Sequence, residues 1–208
     1  MLRIRRIYDA VLPINRETLK QVKEILRTRF KDVPEEEIES IGEKLRNPFK
    51  QRFRTTLYVA ETLRGKVSVF AVLLHEPVIG FCFLDWIAAA SGKTGAGLGG
   101  ALYERVRREA SALSVGGLFF ECLPDDPESC PDPATLKQNR DRLRFYEYYG
   151  ARPIVNTDYE LPVKPGDTCM PHLVCDALAA QRPLRRALAR KVVRAVLERK
   201  YAGYCSPE

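Results

Sequence analysis

Apolar and polar positions follow two periods along this chain, and they predict a fold that mixes helices with strands. Ile4–Leu12 reads as a strand and ends at Pro13. Asn15 is a good N-cap for a helix to about Arg29, with Glu17 in its first turn and Leu19, Val22 and Leu26 as its apolar stripe. Pro34 opens a second helix to about Arg46, with Glu35–Glu37 at its positive end, and Asn47-Pro48 breaks it. Three strands follow as a meander over Thr55–Glu61, Lys66–Leu74 and Val78–Ile87, turning at Arg64-Gly65 and His75–Pro77. A glycine-rich stretch leads into a helix from Gly99 to about Ser114. Leu118–Leu123 is a short buried strand. After the loop Leu123–Pro133 comes a helix over Ala134–Tyr149, stopped by Gly150, then closing strands at Arg152–Val155 and Met170–Asp176. Ala177–Lys200 differs from the rest. Beyond Pro183, Leu184, Leu188, Val192 and Val196 recur every four positions among Arg and Lys, the pattern of a basic amphipathic helix.

Composition narrows this picture. The 208 residues suit one domain with extensions or two small ones, and 45% apolar with 29% charged is an ordinary globular balance. No apolar stretch reaches the ~18 residues of a spanning helix. The basic start, Met1–Arg6, has no apolar run after it. The chain therefore reads as cytoplasmic, without a membrane span. Its six cysteines, at 82, 122, 130, 169, 175 and 205, lack zinc-knuckle spacing and read as reduced thiols. With only His75 and His172, a histidine triad or metal site has little material, and no metal is expected. The net charge is +7, and it is uneven. Residues 182–208 hold 8 of the 34 basic and 2 of the 27 acidic residues, a net +6, which leaves +1 for residues 1–181. The division expected is a catalytic body over residues 1–178 and a basic tail over 179–208. Tyr201–Glu208 reads as a link to further sequence.

The glycine-rich stretch carries the first chemistry. Thr94-Gly95-Ala96-Gly97-Leu98-Gly99-Gly100 leaves a strand and opens a helix. A helix start has unpaired N–H groups and a partial positive charge, and glycines let a phosphate approach them closely. No Lys-Ser/Thr follows, so the turn is not a P-loop. Gly95, Gly97 and Gly100 also fit a dinucleotide-binding pattern, with Glu121 at about the right distance for its acid. A turn that merely packs helix on strand is the plain structural reading.

The helix after the acidic loop carries the second motif, Asn139-Arg140-Asp141-Arg142-Leu143-Arg144-Phe145-Tyr146-Glu147-Tyr148-Tyr149-Gly150. With both motifs in this order, residues 56–160 resemble the GNAT superfamily of N-acetyltransferases. That family has a turn R/Q-x-x-G-x-G/A between strand and helix and a later helix close to N-x-x-A-x-x-F-Y-E-x-x-G-F. Three positions depart from it: Thr94 stands for Arg/Gln, Arg142 for Ala, and Gly150-Ala151 for Gly-Phe. The resemblance implies an α/β fold with a mixed, mostly antiparallel twisted sheet, a splayed central strand pair and flanking helices, here extended by the C-terminal basic helix.

What the resemblance implies for chemistry is acetyl transfer from acetyl-CoA to a primary amine by direct attack. The pyrophosphate would sit on Thr94, Gly95, Ala96, Gly97, Leu98, Gly99 and Gly100. The pantetheine arm would pair with Ile87, Ala88 and Ala89. Asn139, Arg142 and Tyr146 would complete the cofactor site. Tyr146 matches the tyrosine that protonates the departing thiolate. Glu121 matches the glutamate that some members use as base, and partial burial would raise its pKa toward a useful range. Asp85, in Leu84-Asp85-Trp86, is the alternative base.

The acceptor is less legible. Asp125, Asp126, Glu128 and Asp132, in the loop leaving the Glu121 strand, would attract a cationic amine such as lysine, an N-terminus or a polyamine. Two other classes stay open. One is a CoA-binding regulatory module with little turnover that acts through a partner. The other is a nucleic-acid-associated protein using the basic tail, which is disfavoured because the charge lies in that one segment. The tail's apolar stripe also suits packing on a second copy or a further domain.

Overall fold

The computed structural model describes residues 2–31, 33–47, 53–92, 97–155, 157, 159, 170–178 and 183–201. The chain divides into two compact units, Met1–Pro77 with Cys82–Leu113, and Val78–Phe81 with Ser114–Glu208.

In the first unit the strand order is β1 (Leu2–Ile7), β2 (Arg54–Thr62), β3 (Val67–Glu76), β4 (Phe81–Ala89). β1 pairs antiparallel with β2 from Leu2 opposite Thr62 to Ile7 opposite Leu57. β2 pairs antiparallel with β3 and slips register at Ala60/Glu61. β3 is buried nearly throughout, so it reads as a continuous apolar run rather than an alternation. Helices α1 (Pro13–Arg29), α2 (Glu35–Arg46) and α3 (Leu98–Ala112) cover these strands. α1 lies on β3, α2 on β2, and α3 on both. Leu102, Tyr103, Val106 and Ala110 are the buried stripe of α3, spaced for one helical face.

In the second unit the order is β5 (Leu118–Cys122), β7 (His172–Asp176), β6 (Arg152–Pro153), and both pairings are antiparallel. α4 (Pro133–Tyr148) packs on β5. Asp132 caps α4 by accepting from the Thr135 N–H, and Pro133 occupies its first turn. Gly150, at φ +89°, ends it in the left-handed conformation expected after a helix. α5 (Arg186–Ala195) continues into a π-helical turn over Val196–Lys200. Val192, Ala195 and Val196 are buried, and Gly116 lies so close to Leu188 that a Cβ there would sit 2.5 Å from Leu188 Cδ2.

Several boundaries differ from the sequence reading. β1 stops at Ile7 because the Asp9 carboxylate then accepts from the Val11 N–H in a local turn. α1 starts at Pro13, whose fixed φ suits a first helical position. Asn15 is therefore not a cap; it lies inside the first turn and accepts from Arg5. Glu17 falls outside the first turn. The turn expected at His75–Pro77 lies instead at residues 77–80, where Gly80 takes φ +82°, and β4 is shifted accordingly. Among the described residues, no helix is long and apolar enough to cross a membrane.

Candidate active site

In the first unit, β4 changes character along its length. Phe81–Leu84 are buried, and Asp85, Trp86 and Ile87 are half-buried. Ala88 is buried again and Ala89 is half-buried. The indole of Trp86 stands edge-on to Phe30, with ring centroids 4.7 Å apart. Thr94, Gly95 and Ala96 lie outside the described residues. Gly97 is the N-cap of α3, at φ +70°, and its carbonyl accepts the first helical bond from the Ala101 N–H at 3.1 Å. That φ is open to glycine and strained for other residues, so the helix can begin here without a side chain over its end.

Packing does not explain the glycines at this helix start. A Cβ placed on Gly97 or Gly99 would meet nothing within 4 Å among the described residues. The first turn, Leu98–Gly100, presents N–H groups that have no acceptor within the helix, and the N-cap contributes no side-chain hydrogen bond. A helix start with glycine at its N-cap suits a phosphate.

In the second unit, β5 carries Glu121 between the buried Phe120 and Cys122. Strand side chains alternate between faces, so Glu121 points away from Phe120 and Cys122. Tyr146, buried on α4, packs its ring on Phe120 at a centroid distance of 4.3 Å and on Phe145 at 5.0 Å. Tyr146 therefore lies on the face of β5 away from Glu121. Burial pushes the Tyr146 phenol well above its ordinary pKa, the nearby Cys122 adds to the rise, and Arg142 opposes it. Burial likewise pushes the Cys122 thiol up to about 12.

Glu121 sits in a web of donors. Lys200 Nζ lies 2.8 Å from its Oε2. The Tyr201 hydroxyl is 2.9 Å from Oε1 and 2.7 Å from Oε2, and Tyr159 donates to Oε1 at 2.5 Å. The expected rise in pKa is corrected by this web. Burial does push the carboxyl up, but the Lys200 ammonium and the three hydrogen bonds outweigh it and hold Glu121 below the usual carboxylate range.

Three comparisons bear on this arrangement. No family model matches the sequence, and no curated protein matches it. Solved structures do match its fold. A protein of the GNAT acetyltransferase family from Desulfovibrio desulfuricans aligns over 86% of this chain and 100% of its own, with TM-score 0.64 and 19% identity. Tetrahymena GCN5 aligns over 88% and 99%, with TM-score 0.61 and 11% identity. Aminoglycoside 6'-N-acetyltransferase complexed with coenzyme A aligns over 87% and 99%, with TM-score 0.62 and 13% identity. The fold is that of the GNAT acetyltransferases.

Within this GNAT fold, the loop after β5 is braced by the second motif. Asn139 is buried, and its amide donates to the Pro124 carbonyl at 2.8 Å and lies 3.6 Å from Cys130 Sγ. Arg140 donates to the Asp125 carbonyl. Two of the four loop acids have local work. Asp126 accepts from the Ser129 N–H, and Asp132 is the α4 cap. Arg142 is exposed on α4.

The residues that surround Glu121 escaped the sequence reading. Tyr159, Lys200 and Tyr201 lie 38 to 80 positions away, and no spacing rule joins them to β5. The one available hint was the charge inside an apolar strand, which requires a compensating partner without saying which residue supplies it.

Proposed function

We propose that this protein is an N-acyltransferase that moves an acetyl group from acetyl-CoA to a primary amine. The observation that carries this reading is the start of α3, where Gly97 is left-handed and a Cβ on Gly97 or Gly99 would meet nothing within 4 Å among the described residues, a helix start suited to a phosphate. The GNAT fold supports it, because a thioester donor is what such a helix start serves in that family.

Acetyl-CoA would supply the activated acyl group. The turn ending at Gly100 would hold its pyrophosphate, and the backbone of Ile87, Ala88 and Ala89 would align its pantetheine arm. Glu121 or Asp85 would take the proton that the ammonium must lose before its lone pair attacks. The new C–N bond forms as the C–S bond breaks, and Tyr146 would donate a proton to the departing sulfur. Nitrogen and sulfur are bonded to one carbon as the acyl group moves, so Glu121 and Tyr146, on two faces of β5, would not both touch the reacting atoms, and one of the two proton transfers would run through water. Burial keeps the Tyr146 phenol protonated at neutral pH. It also makes the phenol a weaker acid, so its transfer must accompany C–S cleavage. Asn139 acts as a brace for the loop, and Arg142 is near enough to Tyr146 to influence its charge.

The test is a panel of primary amines assayed for acetyl-CoA-dependent release of CoA thiol. The panel spans lysine peptides, peptide N-termini and polyamines. Saturable release with at least one of them supports the proposal. Tight acetyl-CoA binding with no release across the panel would leave a CoA-binding module without turnover.

A further inference from the structure

The group held against Glu121 is itself a primary ammonium. Lys200 Nζ is 2.8 Å from Glu121 Oε2 and 2.8 Å from the Tyr201 hydroxyl, and it stands 4.4 Å from the centroid of the Tyr201 ring. The Tyr159 hydroxyl completes the surround on the far carboxylate oxygen. Lys200 and Glu121 are 13% and 16% exposed, so this is not a solvated surface pair. A carboxylate for the charge, a hydroxyl for a second N–H and an aromatic face are what a binding site for an alkylammonium provides.

The delivery of Lys200 is also unusual. α5 is docked through Val192, Ala195 and Val196, and its last turn widens into a π-helix over Val196–Lys200. Such turns are rare and concentrate at functional positions. This one ends on the lysine that reaches Glu121.

We propose that Glu121, Tyr159 and Tyr201 form a primary-ammonium site, and that Lys200 is a resident occupant standing where an acceptor amine binds. The inference rests on the acyltransferase reading for its consequence, but the site itself does not. While Lys200 is in place, the Glu121 carboxylate is shared among three donors and has no freedom to take a proton from a second amine. An acceptor reaches Glu121 by displacing the Lys200 ammonium. The preferred acceptor is then a flexible primary alkylammonium of lysine or polyamine type.

Lys200→Ala leaves a space that n-propylammonium fills, since it reproduces the missing three carbons and the charge. Two readouts follow. Without any CoA, n-propylammonium at millimolar concentration raises the melting temperature of Lys200→Ala, while 1-propanol does not, and the wild-type protein responds to neither. With acetyl-CoA, the KM of a primary alkylamine falls about tenfold in Lys200→Ala, because a competing occupant that fills most of the sites is gone. Lys200→Met keeps the stem without the charge, so it shows the same fall in KM and no rescue by n-propylammonium. It also carries the kinetic test if the alanine variant does not fold. Absence of rescue together with an unchanged KM in both variants would overturn the site and leave Lys200 as a helix latch. Rescue without thiol release from any amine would instead sink the acyltransferase reading while the ammonium site stands.

Discussion

Two titrating groups, the buried Tyr146 and the half-buried Glu121, set the expectations at the residue scale. Tyr146 is placed by α4 against Phe120, with its phenol kept protonated by burial. Tyr146→Phe should lower kcat by about 10²–10⁴ if the phenol delivers the proton. Titration calorimetry should find acetyl-CoA affinity nearly unchanged, and an equal loss in both would make Tyr146 a packing residue. Glu121 has its pKa held down, so its contribution to stability is present above the unfolded value of about 4.3 and is lost as pH falls through the depressed folded value. Wild-type melting temperature should therefore drop more steeply below about pH 4 than that of Glu121→Gln. At pH 7 the variant should be less stable by about 1–3 kcal/mol, because Lys200 loses its counter-charge. Glu61 is a fully covered carboxylate between Arg3 and Arg5, with its pKa also held below the usual range. Arg5 extends that web to Asn15 and Thr18 and ties β1 to α1. The sequence showed Glu61 only as the end of a strand, because its partners arrive from a different strand 56 to 58 positions away.

At the scale of elements, glycines mark where one segment must begin or approach another. Among the described residues nothing crowds a Cβ on Gly97, but its φ is strained for a side chain, so Gly97→Val should cost about 1–2 kcal/mol through that φ. Chemical denaturation measures that loss. The same variant should weaken acetyl-CoA binding, since a β-branched residue would cover the helix start. Gly116 has the opposite problem. Its φ is ordinary, but Leu188 fills the space, so Gly116→Val should push α5 outward and destabilise the second unit. Leu188→Ala in the same chain should return part of that loss, a coupling that a double-mutant cycle reads directly. The sequence disclosed both helices flanking these glycines, since amphipathic periods are local. It did not disclose that Leu188, chosen as one member of a four-residue repeat, lands on Gly116. That contact depends on where the whole of α5 docks.

For the whole molecule, the proposed function predicts that acetyl-CoA binds the folded state. Ligand present at 100 times its dissociation constant should add about 2.7 kcal/mol of stability. In a chain of this size that is a rise of roughly 5–10 °C in melting temperature. Scanning fluorimetry with acetyl-CoA against a simple adenine nucleotide checks it, and no shift would leave the proposed donor without support. The charge asymmetry is also a whole-molecule property. The segment from residue 182 onward holds +6 of the net +7. Its Lys200 serves an internal carboxylate rather than solvent. Truncation before Pro183 should therefore do more than lower the isoelectric point. It should uncover Glu121 and Gly116 and lower the melting temperature.

By itself the sequence determined the kinds of element, their order and the two motifs, because apolar periods, caps and glycine turns act over a few residues. It also showed that Glu121 needed a partner, since a charge inside an apolar strand is costly wherever it occurs. The tertiary structure alone decided who that partner is. Lys200 lies 79 positions from Glu121 and reaches it only because α5 docks and its last turn widens. It alone also sent Tyr146 and Glu121 to different faces of β5, and it turned an expected rise in the Glu121 pKa into a fall. Those outcomes come from long-range packing and from the balance of burial against charge, and neither is written in local spacing.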